Sequence, residues 1–120
     1  MSSYIYNLKR YESSSLRDVS NQIIDAFQTD LIVPELVINQ TVDFNNHEVL
    51  LLCFEKFYFR TSSMAALTIQ GISNGKEQLI TVVSTGGGEG PLNISKGANS
   101  DFAYRTLDIL ERIGFKENRL

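Results

Sequence analysis

The sequence predicts an α+β domain of order β-α-β-β-β-β-α, an antiparallel meander with two helices packed on one face. Apolar residues repeat at every second position along most of the chain, but at every third or fourth across residues 16–27 and 102–113. Asn74-Gly75 stands between two alternating runs and is the strongest short hairpin signal present. Strand and helix patterns do not keep alternating, which argues against a parallel doubly wound sheet.

Each element follows from its own pattern. In "SYIYNLKR", residues 3–10, Tyr4, Tyr6 and Leu8 share one face, the signature of a short first strand. From Ser13 the period changes. Leu16, Val19, Ile23 and Phe27 form an apolar stripe with Ala26, while Arg17, Asp18, Asn21, Gln22 and Asp25 face away. Ser15 with Asp18 reads as a variant capping box and Ser13 as a competing cap. The helix ends near Thr29, and Pro34 holds Val33 extended. Strands are expected at Leu36–Phe44 and, after a turn at "NNH", at Glu48–Arg60, whose first half is apolar on both faces. Two more, Ala65–Ile72 and Gln78–Ser84, join through "SNGK".

A type I′ turn at Asn74-Gly75 sets Ile69 opposite Ile80 and Leu67 opposite Val82 on one apolar face. The reverse face then pairs Thr68 with Thr81, Gln70 with Leu79 and Ala66 with Val83. It is neither charged nor fully apolar, where a solvated face carries more Lys and Glu. A partner, a ligand or the N-terminal strand is expected to cover part of it. The last helix is expected from about Ser100 to Ile113, burying Phe102, Thr106, Ile109, Leu110 and Ile113, with Gly114-Phe115 as a Schellman stop. This order is similar to that of TBP-like and helix-grip folds, an analogy that carries no function.

Bulk properties bound the function. One domain of 120 residues can bury a real core unaided. With a net charge of −3 and scattered basic residues, it offers no stripe to neutralise nucleic-acid phosphates. No apolar run approaches the roughly 20 residues of a membrane helix, and no secretory signal is visible, so a cytoplasmic protein without membrane or nucleic-acid partners is expected. Cys53 alone can form neither an internal disulfide nor a Cys-rich zinc site, and His47, though Asp43 and Glu48 are near in sequence, lies in a turn with no HxH, HxxxH or Cys/His set; no metal and no cofactor are expected.

Two segments carry what chemistry there is. "STGGGEG" begins a stretch, residues 84–101, with five of the eight glycines. It lacks the GxxxxGK[ST] and GxGxxG spacings, so a nucleotide cradle is not expected. Gly86, Gly87, Gly88 and Glu89 remain either a crowded bend or a flap over a small-molecule site between sheet and C-terminal helix. "FEKFYFRTSS" supplies that site's polar anchors, Glu55, Tyr58 and Arg60; whichever face of this strand is inward, a charge (Glu55, or Lys56 and Arg60) falls in line with it.

The segments "FEKFYFRTSSMAALTI", "VVSTGGGEG" and "DILERIGF" resemble a small family of uncharacterised bacterial proteins, mostly Gram-positive, defined as a domain of unknown function. The resemblance spans about residues 45–116. It implies a bacterial cytosolic protein and brings no catalytic or binding role with it. No complete catalytic constellation is present. The leading expectation is therefore a non-enzymatic binding module, a homodimer formed through the reverse sheet face. The alternative is a small-molecule-binding protein or enzyme using the Gly86–Gly90 loop.

Overall fold

A computed structural model describes residues 2–59, 62–87 and 95–118. The elements are β1 (Ser2–Tyr11), α1 (Leu16–Phe27), β2 (Glu35–Phe44), β3 (His47–Tyr58), β4 (Ser63–Ser73), β5 (Glu77–Gly87), α2 (Ser95–Arg112) and β6 (Lys116–Glu117). The strands form one antiparallel sheet in the order β2-β3-β4-β5-β1-β6. The expected α+β meander is therefore what the chain forms.

Both helices lie on the same side. Leu16, Val19, Ile23 and Phe27 of α1 and Phe102, Leu107, Ile109 and Leu110 of α2 enter one core with Leu50, Leu52, Phe54, Leu67, Ile69, Ile80 and Val82. The Phe27 ring packs edge-to-face with Phe54 and with Phe102, at centroid distances of 4.9 and 5.7 Å, tying the two helices to β3. Such contacts add to the free energy of burying the rings themselves.

Ser15 is the cap of α1, its Oγ accepting from the Arg17 N–H at 3.1 Å. At the far end of α2, Gly114 has a φ of 105°. The N–H of Phe115 donates to the Leu110 carbonyl at 3.0 Å and that of Gly114 to Glu111 at 3.1 Å, while Phe115 is buried. That is the Schellman stop read from Gly114-Phe115. It turns the chain back so that β6, which no sequence pattern announced, pairs with β1 at Leu8 and Lys9.

Several expectations need correction. α2 begins at Ser95 rather than near Ser100. Gly97 and Asn99 disfavour helix by no more than about 1 kcal/mol each, a weak preference that does not fix where a helix begins. The type I′ geometry occurs not at Asn74-Gly75 but at Asn45-Asn46, whose φ values are 51° and 63°. In the β4–β5 hairpin, Asn74 instead accepts from the Lys76 and Glu77 N–H groups through Oδ1, at 2.9 and 2.8 Å. Those bonds hold it below the tip, which is Gly75-Lys76, with only Gly75 at positive φ.

The register consequently moves by two residues: Ile69 faces Val82, and Leu67 faces Ser84. A shift of two preserves which side every residue takes, so the apolar and reverse faces hold as read. The N-terminal strand does not cover the reverse face. It extends the sheet edge beside β5.

Candidate functional site

Of the polar anchors read from the sequence, Glu55 and Tyr58 lie on opposite sides of the sheet. Tyr58 lies on the helix side at the end of β3, half-buried, and burial together with Asp101 and Asp30 pushes its phenol up to about 12. Glu55 sits three residues earlier, exposed on the opposite side, directly across from Glu35 on one neighbour and Ala66 on the other. Gly86 and Gly87 are not loop residues but the last of β5, opposite Ala65 and Met64. Arg60, Gly88 and Glu89 lie outside the described residues.

What joins Tyr58 is Lys56. Its Nζ stands 5.1 Å from the Tyr58 ring centroid and 5.7 Å from that of Phe102. Burial lowers its pKa, opposed by the charges of Asp30 and Asp101. Nearby, Asp30 is engaged by Arg105 at 2.9 Å, which also donates to the Ala26 carbonyl. The inward charge of the "FEKFYF" segment is thus the lysine, which rests on aromatic faces and, among the described residues, is in no salt bridge.

The other side of the sheet is uncovered by any described element, and cross-strand register sorts its side chains into rows. One row runs Val42, Val49, Ile72, Leu79 across β2, β3, β4 and β5 and ends at Lys9 on β1. The next runs Gln40, Leu51, Gln70, Thr81, Asn7. A third runs Ile38, Cys53, Thr68, Val83, Ile5. Phe44 lies beyond one end of this array, and Phe57 with Met64 beyond the other.

Large apolar side chains here are open to solvent: Phe44 is 69% exposed and Ile5 61%, with Val42, Leu51, Phe57, Met64, Ile72 and Leu79 between 38% and 47%. Within the three rows the one charge is Lys9, at the end of the first. Lys9 pairs with Glu77 at 3.2 Å at one corner, and Glu55 stands toward the opposite end. A contiguous apolar surface with a polar rim is the anatomy of an interaction site.

Two shallow depressions, of about 130 and 160 Å³, share Ile72 and Leu79 on this face. Both fall below the roughly 300 Å³ at which small-molecule pockets begin. Among the described residues no cluster of three or more His, Cys, Asp or Glu could hold a metal.

The signal for this face was present in the sequence. The two-sided apolarity of Glu48–Phe54 and the missing charge opposite Leu67–Ile69 both mark it; the rows themselves needed the register.

A model of one protein family matches residues 1–114, nearly the whole chain. The chain belongs to DUF6054, a family of unknown function. Membership in DUF6054 brings no activity, substrate or partner with it. No curated protein and no solved structure shows significant similarity to the chain. Among the described residues no helix is long and apolar enough to cross a membrane.

Proposed function

We propose that this DUF6054 protein is a non-enzymatic interaction module of the bacterial cytosol that docks through the open face of its sheet and self-associates there as a homodimer. The observation that supports this reading is the charge-free centre of that face, where Val42, Leu51, Ile72 and Leu79 are all partly exposed. Leaving such area in water is unfavourable by about 25 cal/mol per Å².

The dimensions fit. Five long strands, β2 to β5 and β1, spaced about 4.8 Å apart and holding about ten residues at about 3.3 Å each, span roughly 24 by 33 Å. That is close to the ~800 Å² per partner of a standard stable interface. Two such sheets would stack face to face about 10 Å apart, as in a β-sandwich.

Sedimentation equilibrium across a wide concentration range tests it. The expected mass is twice 13.5 kDa. A mass of 13.5 kDa at several hundred micromolar would overturn the homodimer.

A further inference from the structure

The open face is not uniformly apolar, and the polar row at its centre carries further information. Gln40, Gln70, Thr81 and Asn7 occupy a single cross-strand line, interrupted by Leu51, between a mainly apolar row on each side. Thr81 donates its hydroxyl to Asn7 Oδ1 at 2.8 Å, which leaves the Asn7 amide hydrogens to pair elsewhere. Gln40 and Gln70 are exposed, and among the described residues neither side chain forms a hydrogen bond within the chain.

We infer that this row is the register-setting element of a face-to-face, two-fold dimer, Gln70 pairing with amides of the same row on a second copy. The inference rests on the docking reading above.

Three features point to a second copy as the occupant. An amide carries both a donor and an acceptor, so a row of amides complements itself when a two-fold axis sets it against its own copy. A lipid surface or an apolar ligand would leave the same groups buried and unpaired, each at a cost of about 1–3 kcal/mol. The row also lies inside the mainly apolar array rather than at its rim, with Val42, Val49, Ile72 and Leu79 (and Lys9 at the end) on one side and Ile38, Cys53, Val83 and Ile5 (with Thr68 among them) on the other. Sliding one sheet over the other by a row would set amides against Val and Ile. Apolar contact alone tolerates such slippage, whereas a buried amide pair penalises it, as a single buried Asn fixes register in a coiled coil.

The test uses the full chain with a spin label on a cysteine introduced by Asp25→Cys, on the exposed side of α1, in a Cys53→Ser background. Pulsed dipolar spectroscopy then reads the distance between protomers, and sedimentation reads affinity. The background protein should give one narrow distance. Gln70→Leu combined with Gln40→Leu should keep the dimer but broaden or split that distance. Gln70→Lys should weaken the dimer at least about thirtyfold, while Asn21→Lys on α1 leaves it unchanged.

A dimer whose single distance survives Gln70→Leu/Gln40→Leu would overturn the register role and leave the docking reading standing. A monomeric background protein would overturn the docking reading itself. Circular dichroism and Tm establish that each variant is folded; all the substituted side chains are solvent-exposed or half-buried in the protomer.

Discussion

The Glu48 carboxylate, at the start of β3, caps a helix from 32 residues away: its Oε1 accepts the backbone N–H of Leu16 at 2.9 Å. Its Oε2 accepts from the Ser15 hydroxyl at 2.6 Å and lies 3.2 Å from Arg17 Nη1. A carboxylate here meets the orphan N–H groups and the positive end of the α1 dipole together. The same contact fastens α1 to the β2–β3 hairpin. Glu48→Ala is expected to lower stability by about 1–2 kcal/mol. Glu48→Gln, which keeps an acceptor but loses the charge, should cost less. Urea unfolding of the two variants checks both the size and the order.

Neighbouring leucines on β3 should behave as residues of two different surfaces. Leu52 is buried among the helices and Leu51 is 38% exposed on the open face. Leu52→Ala is expected to cost about 2–5 kcal/mol of stability. Leu51→Ser should stay within about 0.5 kcal/mol when read on the protomer, yet weaken self-association. Equal effects on stability would contradict the assignment of faces.

That alternation is also where the sequence was most readable. Strand and helix periodicity, Ser15 as a cap and Gly114-Phe115 as a stop are local signals, and local geometry obeyed them. What local pattern could not supply was anything decided by distant groups. Glu48 reaches Ser15 only after β3 has folded back. Asn74 moved the hairpin tip by binding two N–H groups, and β6 exists because β1 offers an edge to pair with. The candidate site shows the same division. The shortage of charge on the reverse face was legible, whereas the line formed by Gln40, Gln70, Thr81 and Asn7 comes from four separate pairings. Closeness in sequence groups Glu55 with Tyr58, yet their spacing of three puts them on opposite sides of a strand.

Gly71 of β4 stands where there is little room for a side chain. A Cβ there would meet Ile80 Cδ1 at 2.9 Å, and Leu16 Cδ1 and Leu50 Cβ at 3.3 Å. Gly71→Ala is therefore an overpacking change in the core under the start of α1. A loss of about 1–3 kcal/mol is expected in thermal or chemical unfolding. Gly71→Ala combined with Ile80→Val, which removes the nearest methyl, should recover part of it.

Across the β2–β3 ladder, Glu35 and Glu55 stand directly opposite and both are exposed. Like charges in this relation oppose pairing. Glu55→Lys turns the pair attractive and is expected to stabilise the fold by about 0.2–1 kcal/mol. The gain should shrink as salt is raised from 0.05 to 0.5 M, on the order of the screening expected for exposed charges.

The Lys56–Tyr58 pair makes the alkaline branch of stability informative. Tyr58 is raised to about 12, so between its ordinary value near 10 and 12 the folded chain holds a proton that the unfolded chain has released. Its contribution is complete below pH 10 and is lost as pH rises through that window. Lys56 runs the other way. Burial lowers its pKa, so between the folded value and the ordinary value near 10.5 the unfolded chain holds the extra proton, and stability rises with pH there. Tyr58→Phe should flatten the fall above pH 10, and Lys56→Met should remove the opposing rise. At pH 7, Lys56→Met replaces a half-buried ammonium by an apolar chain of similar length, leaving the stacking on Tyr58 and Phe102 to its methylenes and sulfur. Because the ammonium is partly solvated, the expected change is a gain of less than about 1 kcal/mol. A large loss at pH 7 would mean that the ammonium itself, held over the two rings, stabilises this end of the sheet.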